Sequence, residues 1–421
     1  MLTPDGYMPR LVDSELDLML DTFDAVCIEG PKWCGKTWTA LNRSNSSVNI
    51  SKGNKTVHDL VLMDRNYAFK GEVPHLIDEW QDVPDIWDMT KIKVDEGRDA
   101  GRFILTGSST PRDKGVSHSG AGRIGRIRMR PMSLFESGDS DGSVSLRGLF
   151  DGRFENTEIK DASLEHLVDL TVRGGWPYLI GKDGSHSALA NREYMRSTLD
   201  GARVMDGVER DRRKLDLVAR SLARNECTLA GASRIASDIR ETDDDTISTI
   251  TIDTYLDMFS RLFIRDDLPA FSPNHRSSVR VGKSPKRRFV DPSLAIAALE
   301  MTEEMLIDDL NTCGSMFESM CERDLGVYAS SIGGKQFHYR DDKGREVDSI
   351  VEVPDGRWGM FEIKLGTNQV DKAAESLLRI NRMFADNGDE PTFMCVICGM
   401  APCAYRRPDG VYVVPITSLR D

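Results

Sequence analysis

The chain has 421 residues, with 55 Lys and Arg against 68 Asp and Glu, a net charge of −13 at pH 7. That length allows about two to four domains and a sizeable core. The acidic balance excludes a protein that coats nucleic acid over its whole surface, while leaving room for a local basic face. In chain order, Met1–Gly6 lacks a charged-then-apolar export signal and no apolar run approaches membrane-spanning length, so the expectation is a soluble cytoplasmic protein with no membrane partner. Residues 24–110 alternate strand-like and helix-like runs, the pattern of an α/β fold with a parallel sheet. The first strand candidate, Phe23–Ile28, leads directly into Gly-Pro-Lys-Trp-Cys-Gly-Lys-Thr at 30–37, which fills every fixed place of the phosphate-binding pattern G-x-x-x-x-G-K-[ST]. Trp38–Leu41 then opens a helix.

The chemistry needs these residue types in this order. Gly30 and Gly35 let the backbone wrap a phosphate with its N–H groups inward, Lys36 reaches the β- and γ-phosphates, and the Thr37 hydroxyl sits on Mg²⁺. The span Gly30, Pro31, Lys32, Trp33, Cys34, Gly35, Lys36, Thr37, Trp38 is therefore the expected ATP/ADP contact. A second strand, Val73–Glu79, ends in Asp78, placed to hold Mg²⁺, and Glu79, placed to polarise an attacking water. A third, Arg102–Ser109, ends in polar residues; paired beside the Asp78 strand, it would bring Thr106 or Ser108 to the γ-phosphate. Next, Gly122–Pro131 alternates arginines with apolar residues. Two readings stay open here: a strand with one wet face, or Arg123 or Arg126 as an arginine finger acting in cis or in a neighbouring copy.

Residues 136–158 are rich in Gly, Ser, Asp and Asn and read as a loop or insertion. Residues 161–225 are helix-like, broken at Gly174-Gly175-Trp176-Pro177. Residues 226–268 hold short helical patterns and then a strand-like end, Arg261–Arg265. Helices at 230–262, with Ile247-Ser248-Thr249 opening a recognition-type helix, look like a winged helix. The stretch 275–288 follows with His275, Arg276, Arg280, Lys283, Lys286, Arg287 and Arg288 and no acid, the one concentrated basic run and the expected DNA contact.

In the C-terminal third, Arg345–Val351 and Gly359–Lys364 read as a hairpin after the turn at 341–344. Asp348 followed by Glu362-x-Lys364 has the spacing of the PD-(D/E)XK nuclease fold, and Glu318 on an upstream helix resembles its first acid. Asp348, Glu362 and Glu318 are thus metal candidates, and Lys364 is the residue to orient a water. The alternative is a plain hairpin with a cross-strand Glu–Lys pair. Among eight cysteines, Cys395, Cys398 and Cys403 cluster, with Cys313 and Cys321 available to complete a zinc site. Phe393–Cys398, however, reads as a buried strand, which favours core cysteines.

The P-loop, Leu-Ile-Asp-Glu-Trp-Gln (76–81), Leu-Thr-Gly-Ser-Ser (105–109), Arg-Pro-Met-Ser-Leu-Phe-Glu (130–136) and Gly-Gly-Trp-Pro (174–177) together resemble a family of bacterial and archaeal AAA-type P-loop ATPases. That family carries a winged-helix region and a C-terminal domain of unknown function, here PD-(D/E)XK nuclease-like. The resemblance implies an ATPase core at 1–160, a helical lid at 161–225, a winged helix at 226–300 and a restriction-endonuclease-like α/β domain at 301–421. It also implies that Pro177 touches the adenine; Trp33 and Cys34 depart from the small residues expected inside the loop. The expected activity is Mg²⁺-dependent ATP hydrolysis controlling a DNA-directed nuclease-like module. The alternative is a nucleotide-dependent protein-interaction switch without nuclease activity, including one whose partner is a toxin or defence protein; the partner expected is a protein or a second copy in a homo-oligomer.

Overall fold

The computed structural model describes residues 1–97, 100–110, 120–159, 162–242 and 247–421. They group into two compact units. The first holds Met1–Pro131, Trp176–Tyr178 and Phe259–Phe263; the second holds Met132–Gly175, Leu179–Met258 and Ile264–Asp421.

The first unit runs α1 (Val12–Thr22), β1 (Ala25–Glu29), α2 (Lys36–Leu41), β2 (Ser46–Asn49), α3 (Lys55–Met63), β3 (His75–Asp78), α4 (Asp85–Asp95), β4 (Phe103–Gly107) and β5 (Ile124–Arg128). The strands form one sheet in the order β2-β3-β4-β1-β5, with every pair parallel. Strands β1, β3 and β4 are buried nearly throughout, as apolar runs inside a helix-covered parallel sheet must be. Edge strand β5 alternates, with Arg126 and Arg128 exposed between buried Gly125, Ile127 and Met129, so the one-wet-face expectation holds. Chain order reverses at β1, whose neighbours β4 and β5 are not its neighbours in sequence. Open parallel sheets take ligands beyond the carboxyl ends of strands at such a reversal.

The second unit opens with α5 (Leu134–Ser137), β6 (Val144–Ser145), α6 (Leu146–Phe150) and β7 (Thr157–Glu158). Its helical part is α7 (Leu164–Arg173), α8 (Gly184–Arg203), α9 (Arg212–Arg224), α10 (Ala232–Thr242), α11 (Thr249–Arg261), α12 (Val279–Gly282), α13 (Pro292–Leu299), α14 (Glu303–Asp308) and α15 (Leu310–Ser331). Then come β8 (Lys335–Arg340), β9 (Glu346–Glu352), β10 (Trp358–Lys364), α16 (Val370–Ala385), β11 (Phe393–Cys398), β12 (Cys403–Arg406), β13 (Tyr412–Val414) and β14 (Leu419–Arg420). A mixed sheet in the order β7-β12-β13-β11-β10-β9-β8 carries the apolar face of α16, where Ala373, Leu377 and Ile380 meet Val347, Met360 and Val396.

Three expectations change. The 136–158 segment is not a plain loop: β6 pairs with β14 and β7 with β12. The first unit closes at Pro131 rather than near 160, because Met132 donates to the Gly175 carbonyl at 2.6 Å and the Leu134 N–H to Asp324 at 3.0 Å. The expected boundary at 160/161 itself lies outside the described residues. The run 261–265 is not a strand, since Phe263 turns through φ 57 and Arg265 only bridges Phe289.

The Gly-Gly of the 174–177 motif has a steric reason. A Cβ on Gly174, at φ 71, would lie 2.5 Å from an Asp291 oxygen, and one on Gly175 would lie 2.1 Å from the Met132 carbonyl oxygen.

Candidate functional site

The phosphate loop leaves β1 at Glu29 and enters α2 at Lys36. Gly30 passes so close to the neighbouring chain that a Cβ there would sit 2.3 Å from the Met129 carbonyl oxygen. Gly35 takes φ 102, a conformation glycine adopts without steric cost. Arg10 buttresses the loop, donating to the Cys34 carbonyl at 2.7 Å and the Arg130 carbonyl at 3.0 Å. Nothing in the sequence marks Arg10, which lies far from the motif. Lys36 is 6% exposed, and its Nζ donates to the Pro31 carbonyl at 2.7 Å. Pro31 and Cys34 are buried, while Lys32, Trp33 and Trp38 are exposed. Trp33 sits at φ 68 with its ring 6.3 Å from that of Tyr178. Next to Tyr178, Pro177 brings its Cγ to 3.5 Å from where a Gly35 Cβ would lie.

The register of β3 with β4 sets Asp78 opposite Thr106, and that of β2 with β3 sets Asn49 opposite Asp78. The buried Asp78 carboxylate therefore gathers three donors: Thr37 Oγ1 at 3.0 Å, Asn49 Nδ2 at 2.7 Å and the Thr106 hydroxyl. Glu79 turns out of the strand at φ 61 and accepts from Ser108 Oγ at 3.0 Å and from Gln81 Nε2. Asp78, Glu79, Thr106, Ser108 and Thr37 thus converge, and Asn49 and Gln81 join them. Asn49 could be found only once the strand register was known. Arg123 pairs with Asp95 at 2.7 Å; Arg126 pairs with Glu29 at 2.9 Å and lies over the Trp87 ring. Among the described residues neither arginine hydrogen-bonds Lys36, Thr37, Asp78 or Glu79.

In the second unit the nuclease-like residues also meet. Strands β9 and β10 are in register up to Ser349 and Phe361, so Asp348 and Glu362 come next to each other as the hairpin splays. Lys364 Nζ lies 3.0 Å from Asp348 Oδ2 and 2.8 Å from Glu362 Oε2, and the Ile363 N–H donates to Asp348 at 2.8 Å. Glu318 and Glu322, one turn apart on α15, face a lysine from outside the hairpin. Lys286 Nζ contacts Glu318 Oε1 at 2.5 Å, Glu322 Oε1 at 2.7 Å and the Asp348 carbonyl at 3.0 Å. Cys227 joins by donating to Glu322 Oε2 at 3.5 Å, whereas Cys395 and Cys398 are buried in β11.

Burial pushes the Glu318 carboxyl up to about 8 against the pull of Lys286. Burial and then the Asp348 charge push Glu362 up to about 8. Burial works to raise Asp348, but Lys364 and Lys286 hold it below the usual range. Burial opposes the Lys286 charge, yet Glu318 and Glu322 hold the ammonium well above its ordinary range. Two lysines face four acids here, and two of those acids keep their protons up to about pH 8.

The basic stretch corrects an expectation. Arg280 forms a bidentate pair with Glu352 at 2.8 and 3.0 Å, Lys283 meets Asp342 at 3.1 Å, Arg287 meets Asp267 at 2.6 Å and Arg288 meets Asp266 at 2.9 Å. With Lys286 also engaged, residues 275–288 are not a free phosphate-binding wing. The acids that neutralise them are distant in sequence, so the run looked unopposed.

Residues 22–137 match the AAA domain family. Residues 164–305 and 313–419 match two families, each described as a domain of unknown function (DUF8612 and DUF4143). No curated protein matches the sequence. Among solved structures, the Walker-type ATPase PABY2304 of Pyrococcus abyssi is similar at 12% identity and TM-score 0.45, over 70% of this chain and 97% of that one. An Aeropyrum pernix ORC1 protein, solved in complex with DNA, aligns at 13% identity and TM-score 0.24 over 73% and 97%. A Thermotoga maritima RuvB variant aligns at 16% and 0.28 over 64% and 94%. The family match, the parallel sheet and the complete phosphate loop support an AAA-type P-loop ATPase domain in the first unit. No helix among the described residues is long and apolar enough to cross a membrane.

Proposed function

We propose that the first unit binds ATP with Mg²⁺ and hydrolyses it, and that the C-terminal module answers the nucleotide state by binding a protein partner rather than by cutting DNA. The observation that carries the first half is the hydrogen-bonded set Thr37–Asp78–Thr106–Asn49, which ties the phosphate loop to the acidic strand. Its hydroxyl and carboxylate oxygens are the hard donors Mg²⁺ takes, and Thr37 and Asp78 would hold the ion. Bound Mg²⁺ supplies charge neutralisation at the β- and γ-phosphate oxygens. Lys36 carries the positive charge for the same phosphates; it donates to a neutral carbonyl, which a phosphate can displace. Glu79, steered by Ser108 and Gln81, orients the attacking water and draws off its proton. Trp33 within the loop, with Pro177 and Tyr178 beside it, suits the adenine. Arg123 or Arg126 would act as a finger only after leaving its present carboxylate.

The second half rests on Lys286, a cation from outside the hairpin that occupies Glu318 and Glu322 and reaches the Asp348 carbonyl. The order α9, bridge at Thr228, α10, α11 and then antiparallel bridges Arg265–Phe289 and Leu268–Lys286 supports a winged helix. In this reading that winged helix serves packing, since most of its basic side chains are internally paired. Convergence of Asp348, Glu362 and Lys364 favours a second reading, a metal-dependent nuclease. ATP turnover by the full chain with Mg²⁺ or chelator, beside plasmid cleavage in Mg²⁺ and Mn²⁺, tests both. Mg²⁺-dependent turnover without cleavage supports the proposal. Absent turnover removes its first half, and cleavage lost in Asp348→Ala removes its second.

A further inference from the structure

The helical part of the second unit holds a cleft that belongs to neither site. It is a cavity of about 660 Å³ lined from α8, α9 and the end of α13. Five arginines reach it: Arg192 and Arg196 from α8, and Arg212, Arg213 and Arg220 from α9. Residues four apart on a helix share a face, so 192 with 196, and 212 with 216 and 220, turn together toward the cleft. Three carboxylates, Glu193, Asp216 and Glu300, also line it. The cleft is therefore net positive in a chain of net charge −13.

Two of the ion pairs here differ from the buried Lys286–Glu322 and Arg288–Asp266 pairs. Arg220 and Glu300 are 54% and 65% exposed, and Arg196 lies 3.6 Å from an exposed Glu193. Such pairs contribute about 0–1 kcal/mol and give way to a stronger anion. Arg192 has no ion pair among the described residues. The floor is apolar, with buried Met195 and Leu199 beside Leu217 and Ala297. Guanidinium forks match phosphate oxygens in pairs and stack on planar rings. The cleft is half open, and its volume exceeds what an inorganic anion fills.

Arg212 is already held by Asp216 and by Asp200 at 2.8 Å. We propose that this cleft binds a phosphate-bearing nucleotide, its oxyanions held by Arg192 and Arg213 and its base laid on Met195 and Leu217. A free nucleotide and one nucleotide of a single strand share that chemistry. The test uses the full chain carrying Lys36→Ala, so that the phosphate loop does not take the probe. Fluorescence anisotropy is followed with mant-ADP and, separately, with a labelled oligothymidylate, each across a salt series. At least one probe should bind, and Arg192→Gln with Arg213→Gln should weaken it about tenfold or more. For the strand, the log–log salt slope should fall by about 0.7 per lost contact. The exposed control Arg276→Gln should change nothing. Arg192→Gln alone removes no ion pair, so it should keep the parent melting temperature and still weaken binding. Binding of mant-ADP alone assigns a free nucleotide, and binding of the strand assigns nucleic acid. Binding of neither, or equal binding by the arginine variants, overturns the proposal. ATP turnover by Arg192→Gln with Lys36 intact should equal wild type, which keeps this test separate from the ATPase reading.

Discussion

Lys36 and Lys286 are both buried lysines, at 6% and 3% exposure, and their surroundings give them opposite roles. Lys36 donates to one neutral carbonyl, so its charge is uncompensated and available to a phosphate. Lys286 sits between two carboxylates and a carbonyl, so its charge is already matched and serves the fold. The acids divide in the same way. Asp78 is held by hydroxyl and amide donors, which leave its negative charge for a cation. Asp348 and Glu362 are held by an ammonium. A carboxylate cluster with neutral partners keeps its charge for a ligand, whereas one that carries its own cations has that charge already matched.

The contrast is broken first at its strongest point. Lys36→Ala should abolish ATP turnover, about 100-fold or more, and leave the melting temperature close to wild type; turnover near wild type in a steady-state phosphate-release assay would end the ATPase assignment. Glu79→Gln should slow hydrolysis about 10²–10⁴-fold while nucleotide binding by equilibrium titration persists. Equal rates would mean that another group positions the water. Lys286→Ala should do the reverse of Lys36→Ala. It strands buried acids and should cost about 3–5 kcal/mol in chemical denaturation, so a neutral result would show that the lysine is not the cluster's structural cation.

A smaller effect concerns pH. Glu318 and Glu362 ordinarily titrate at 4.5 and are raised to about 8 in the fold. Their folded forms bind protons more tightly than the unfolded chain does, so their contribution to stability is full below about pH 4.5 and is lost as pH rises toward 8. Glu362→Gln should flatten the decline in melting temperature between those limits; an unchanged profile would contradict the raised carboxyl. The smallest expected effect is that of Asp348→Ala on ATP turnover, which should be none.

The phosphate loop, the acidic strand and the Thr106–Ser108 strand end were legible because each is a short contiguous pattern whose period and composition dictate its own conformation. The Glu362–Lys364 hairpin was legible for the same reason, since alternation along one strand settles which side chains share a face. Arg10, Asn49, Lys286 and Glu322 were not. Each takes its role from a partner brought near by register or by packing, with no local signal in the chain. The basic run at 275–288 shows the limit from the other side. Its charge was plain, but the acids that oppose it, Asp266 and Asp267 upstream and Glu318, Glu322, Asp342 and Glu352 downstream, lie on other elements. Local sequence determined which groups could do chemistry. Tertiary structure decided which of them keep an uncompensated charge to do it with, because electrostatic pairing acts through space and depends on burial rather than on distance along the chain.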